Sequence, residues 1–277
     1  MESDLKDLVI DMADRLQGMI QGYREHQVVP NYMDMADCTT LLLDETFGKD
    51  KYTLPIDIEQ IMRNLGIEVI ELELNDKDKN GFRFNRIVGE LSISPQFFED
   101  NVEKCIYIDS ETTLFTQRYA LAHELGHYLI NKNKKLYNDE YCIMPMLPKQ
   151  AEELIADAFA VSLLIPIKAF IKQFNVYLNE EKESGNLPIS TEYWLQYLST
   201  SARVSYHYVA CGYQQLRSVA LWLYQYRINK KHVEIIDNIV EKEILLEKLN
   251  EQKLKYPNLI EDIDEFLTDD IITQLYQ

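Results

Sequence analysis

Apolar residues near the start of the chain return at three- and four-residue steps: Leu5, Leu8, Val9, Met12, Leu16, Met19, Ile20 and Tyr23. That rhythm lines one face of an amphipathic helix over residues 4–24. A second helix is expected over Asp34–Phe47. The stretch LPIDIEQIMRNLGIEVIELEL predicts a helix over Ile56–Asn64, a stop at Gly66 and a strand over Ile67–Leu74. The polar run NDKDKNG reads as a turn. Short β-rich runs follow in GFRFN, RIVGELSIS and KCIYIDS, the last covering Lys104–Ser110. They are too few for a doubly wound sheet. They predict a small, mainly antiparallel sheet packed on helices, and so an α+β fold that is mostly helical.

From Glu111 the pattern turns helical, with Ser110 or Thr112 as cap and a helix running through Ile130. NKNKKLYNDEYCIMPMLPK is long for a connection inside a domain and reads as a lid or binding loop. AEELIADAFAVSLLIP predicts a helix that stops before Pro166. More helices are expected over Lys168–Glu183, Thr191–Ser199, Ser205–Leu216 and Val219–Tyr226, with one or two amphipathic helices in Asn229–Gln277. The chain thus divides into a helical extension (1–50), a central domain (51–228) and an acidic helical extension (229–277).

Charge narrows the function. Forty-six Asp and Glu face 28 Lys and Arg, a net charge of −18. Such a chain gains nothing from phosphate contacts, which argues against direct nucleic-acid binding. LSTSARVSYHYVACGYQQL has a helix-turn-helix-like rhythm, but Arg203 and Arg217 alone make no basic face, so packing is its expected role. No apolar run reaches the 18 residues of a membrane span, and the acidic start lacks the features of a signal peptide. The expected setting is the cytoplasm, with no membrane partner. Four cysteines, Cys38, Cys105, Cys142 and Cys211, are scattered without a CxxC pair. Cys142 falls between the two segments discussed next, but without zinc-ribbon spacing it is not counted as a ligand.

Two of only five histidines lie together in RYALAHELGHYLI. His123 and His127, at i and i+4, share one helix face, where two imidazoles reach one Zn²⁺ at about 2.0–2.1 Å. Glu124 is turned about 100° around the axis and can act on a water there as general base, the HExxH arrangement. The flanks Leu121, Ala122, Leu125, Leu129 and Ile130 bury this helix, so its polar residues need partners. Gly126 costs a helix interior about 1 kcal/mol relative to alanine and is expected where a neighbouring helix approaches closely. A third ligand is required. Glu153 is the candidate, with Glu152 as the alternative. Asp157, at i+4 from Glu153, is placed to hydrogen-bond the outer nitrogen of a ligating histidine.

HELGHYLI followed by Glu153-Leu-Ile-Ala156-Asp157-Ala-Phe159-Ala160-Val-Ser-Leu163-Leu164-Ile-Pro166 resembles the ImmA/IrrE family of metallo-endopeptidases. LPIDIEQIMRNLGIEVIEL resembles that family's opening helix and strand, so the likeness spans residues 52–216. The resemblance implies a zincin-like fold with the sheet on the HExxH helix. It also implies a cytoplasmic zinc endopeptidase with one Zn²⁺, whose substrate is a protein, a helix-turn-helix repressor above all. In that mechanism Glu124 takes a proton from water and passes it to the leaving amine. The oxyanion needs one more donor. His207, Tyr206 and Tyr208 are candidates, with plain packing as the alternative. The strand Lys104–Ser110 is a candidate edge for an extended substrate. The competing function is a non-catalytic, protease-like regulator that binds a partner.

Overall fold

The computed structural model describes residues 2–26, 31–73, 89–93, 104–131, 147–186, 189–260 and 267–276. Helix α1 (Glu2–His26) turns Leu8, Val9, Met12, Leu16 and Ile20 into the core, as their spacing requires. Helix α2 (Tyr32–Phe47) opens on Asn31, whose side chain accepts a hydrogen bond from the Met33 backbone N–H at 3.2 Å. Helix α3 (Ile58–Asn64) is capped in the same way by Asp57, which accepts from the Gln60 N–H at 2.9 Å. Gly66, at φ 64°, then takes the left-handed turn that releases the chain into a strand.

Strands β1 (Glu68–Leu72), β2 (Gly89–Ile93) and β3 (Lys104–Asp109) form one sheet in the order β1-β3-β2. β1 runs parallel to β3, with Glu68 opposite Cys105, and β2 runs antiparallel to it, with Gly89 opposite Ile108. The sheet is therefore mixed rather than mainly antiparallel. Local alternation reports a strand but not its neighbour's direction, and β1 and β3 meet only through a crossover. Because β3 is paired on both sides, it offers no edge to an extended substrate, contrary to the expectation for Lys104–Ser110. The GFRFN run lies outside the described residues.

Helix α4 (Leu114–Asn131) starts after Thr113, whose Oγ1 accepts from the Thr116 N–H at 3.3 Å. The expected cap residue Thr112 instead donates its hydroxyl to the Asp109 carbonyl at 2.9 Å. Helices α5 (Leu147–Leu164), α6 (Ile167–Ser184) and α7 (Thr191–Ala202) follow. Helix α8 (Tyr206–Ile235) is one element of 30 residues where two were expected. Val209, Leu216, Val219, Ala220, Leu223 and Tyr226 keep a helical burial rhythm through the expected break, where Arg217 and Ser218 stand and neither Gly nor Pro does. Helices α9 (Ile239–Lys255), α10 (Pro257–Ile260) and α11 (Asp269–Tyr276) complete the described chain. No single helix among the described residues is long and apolar enough to cross a membrane.

α4 and α5 form the centre. α1 packs on both, α2 and α8 pack on α5, and β2 and β3 lie against α4. One apolar core runs from Leu8 to Leu275, so the segments on either side of 51–228 share it. Asp37, fully buried on α2, binds these outer segments together. It accepts from Arg15 Nη1 at 2.9 Å, from the Asn258 N–H and side-chain amide at 2.9 and 3.1 Å, and from the Leu259 N–H at 3.2 Å. A buried carboxylate is tolerated only when paired and hydrogen-bonded in this way.

Candidate metal centre

The site is built where α4 and α5 come unusually close. A Cβ added to Gly126 would lie 3.1 Å from the Ala156 Cα and 3.3 Å from both the Ala156 Cβ and a Phe159 ring carbon. A side chain at 126 would wedge the helices apart, which is the physical reason for glycine there. On either side of this contact Leu125, Leu129, Ile155 and Phe159 are fully buried and fix the two helices in register.

That register brings three ligand-type atoms together. His123 Nε2 and His127 Nε2 are 3.0 Å apart, and Glu153 Oε2 lies 3.3 Å from the first and 3.6 Å from the second. Four tetrahedral ligands at about 2.0–2.1 Å from a zinc ion stand about 3.3–3.4 Å from one another. The observed separations bracket that value, and two imidazoles plus one carboxylate is a donor set that suits zinc. Among the described residues, His123, His127 and Glu153 make the cluster able to hold a metal ion. Glu152 is not part of it.

Asp157, one turn beyond Glu153, accepts a 2.8 Å hydrogen bond from His123 Nδ1 at its Oδ1. That contact leaves the Nε2 lone pair of His123 turned toward the cluster. Burial alone would lower the His123 pKa, but the Asp157 hydrogen bond and the charges of Asp157, Glu124 and Glu153 outweigh it and raise the value. His127 moves the other way, since burial and the neighbouring His123 both lower it and Glu153 offsets only part. Burial would raise Asp157, yet His123 and the Tyr119 hydroxyl hold it below its ordinary value. Glu124 is partly buried beside His123.

Residues matching the IrrE N-terminal-like domain of the M78 peptidases run from 62 to 210, more than half of the chain. The chain belongs to the ImmA/IrrE family of metallopeptidases. A comparison with curated proteins finds no match. In this ImmA/IrrE member both halves of the candidate site fall inside the matched segment, and α1, α2, α9, α10 and α11 fall outside it.

The three expected oxyanion candidates, consecutive at the start of α8, meet different surroundings. Tyr206, at the start of α8, is exposed. His207 turns its Nε2 to Cys211 Sγ, 3.9 Å away. Tyr208 stacks flat on Tyr119, with ring centroids 3.6 Å apart and planes 4° from parallel, which brings it beside the centre. Tyr119 itself has no place in the expectations from sequence. Its hydroxyl donates to Asp157 Oδ1 at 2.9 Å. Its position one turn before His123, on the same face, is the signal that could have found it. Cys142 lies outside the described residues.

Proposed function

We propose that this ImmA/IrrE member is a zinc-dependent endopeptidase that hydrolyses a peptide bond in a cytoplasmic protein, a helix-turn-helix repressor being the favoured substrate class. The observation that carries the reading is the triangle of His123 Nε2, His127 Nε2 and Glu153 Oε2, with edges that fit one tetrahedral zinc ion. His123, His127 and Glu153 would hold the ion, which would supply acidification of water and polarisation of the scissile carbonyl. Glu124, beside the first ligand, is assigned as general base: it takes a proton from the attacking water and delivers it to the leaving amine. Asp157 orients His123. Tyr208 is the donor best placed of the three to meet an oxyanion, because only it stands against the tyrosine that touches Asp157. The HExxH helix, the acidic ligand on a second helix and the small sheet beside them support a zincin-like assignment. We assign catalysis to residues 51–228, and to 1–50 and 229–277 the part of helical additions. A net charge of −18 supports a protein substrate over a nucleic acid.

Glu124→Gln tests this. The variant should keep its metal and lose at least about 100-fold in the rate of repressor cleavage, the usual worth of a positioned base. A variant that cleaves as fast as the parent chain removes Glu124 from the chemistry. If instead the biological effect of the protein survives without cleavage, the non-catalytic, partner-binding reading takes its place.

A further inference from the structure

Three helices meet behind His123 in a way that metal binding alone does not require. Tyr119 on α4 is buried, and its hydroxyl donates to the same Asp157 oxygen that accepts from His123 Nδ1. The two donors sit at 2.9 and 2.8 Å. The Asp157 side chain is more than half exposed, so α5 does not by itself hold its carboxylate in one rotamer. Two hydrogen bonds to one oxygen do. The Tyr119 ring is in turn held flat against Tyr208 of α8.

We propose that Tyr119 is a positioning residue for the metal centre. It acts through Asp157 on the orientation of His123, and Tyr208 makes α8 the outer wall of that arrangement. The proposal rests on the metal-site reading above and adds to it a residue outside both motifs. It requires that the Tyr119 hydroxyl matter only while residue 157 offers an acceptor oxygen to receive it. A side chain that merely fills space would behave alike with or without that partner. Phenylalanine keeps the ring, its burial and its stack on Tyr208, and removes only the hydroxyl, so Tyr119→Phe is expected to fold.

The experiment uses the full chain stripped of metal by chelation. Zn²⁺ is titrated in competition with a chromophoric chelator, and Co²⁺ uptake is followed by its visible absorption, which reports coordination geometry. The parent chain is compared with Tyr119→Phe, Asp157→Ala and the double variant, with His123→Ala as reference. Tyr119→Phe should weaken Zn²⁺ binding by about 5–10-fold, at or just below the roughly 10–100-fold that direct outer partners of a ligating histidine contribute, since it acts through one of them. It should also alter the Co²⁺ band. In the Asp157→Ala background the same change should alter affinity by less than about 2-fold, because the shared acceptor is already gone. Tyr119→Phe with parental affinity and band shape, while His123→Ala abolishes uptake, overturns the positioning role and leaves the metal site standing. An equal loss in both backgrounds overturns it too, as that marks a packing effect. Parental uptake unaffected by His123→Ala defeats the metal-site reading, and this one with it.

Discussion

Single side chains decide most of the chemistry, and their environments differ sharply. The raised pKa of His123 means that, without metal, the folded state holds a proton there more tightly than the unfolded chain does. Its contribution to stability is complete below the ordinary histidine pKa of about 6.5 and is lost as pH rises through the folded value. Asp157, held low, contributes above the ordinary carboxylate pKa of about 3.9 and loses that contribution as pH falls through its folded value. His127, lowered by burial and by the charge on His123, takes stability away as pH falls through about 6.5. Melting temperature of the metal-free chain, followed from pH 5 to 8, should therefore depend on pH differently in Asp157→Asn, where the His123 part is missing. Identical profiles for the two would contradict the assigned pair. The cysteines offer a second contrast. Cys38 is fully buried, and burial, only partly countered by Arg15, pushes its thiol up to about 12. Cys211 is exposed. At pH 8 a thiolate-directed reagent should label Cys211 in the native chain and reach Cys38 only after unfolding, as peptide mapping by mass spectrometry would show.

At the scale of elements, the site depends on how closely helices approach. α8 meets α5 at Gly212, where an added Cβ would fall 2.5 and 2.6 Å from the two γ-carbons of Val161. Valine is stiff about χ1 and cannot turn both methyls away. Gly212→Ala should therefore destabilise the fold by about 1–3 kcal/mol, and Val161→Ala in the same chain should recover part of that loss. Denaturant unfolding of the single and double variants measures both, and no recovery would mean the strain lies elsewhere. The HELGH helix and the Glu153–Asp157 helix were legible in the sequence, because i, i+4 spacing is a local property that burial then fixes. Gly126 was legible for the same reason: its helical cost signalled a close neighbour. The parallel pairing of β1 with β3 was not, since strand direction is set by partners distant along the chain. Nor was Tyr119, whose meaning depends on a carboxylate from α5 and a ring from α8. The unity of α8 was not legible either: Arg217 and Ser218 put two polar residues in succession between its apolar stretches, and only packing shows that the burial rhythm runs on through them.

At the scale of the whole molecule, ligand uptake and folding are linked. A metal ion that binds only the native state, present at about 100 times its dissociation constant, should stabilise the fold by about 2.7 kcal/mol. Thermal melts with and without Zn²⁺ would show the shift, and His123→Ala or Glu153→Gln should remove or shrink it. A second lever lies outside the family segment. Removing the Asp37 carboxylate leaves Arg15 and the start of α10 without their shared acceptor. Asp37→Ala should cost about 3 kcal/mol, as the loss of one member of a buried pair does, and denaturant unfolding would report it. Chain ends usually fray first, and their amides exchange with solvent almost freely. Here the Asn258 and Leu259 amides donate to a carboxylate with no exposure to water. Their deuterium uptake should accordingly be slow and should wait on opening of α2, so that a point close to the end of the chain reports on events more than two hundred residues before it.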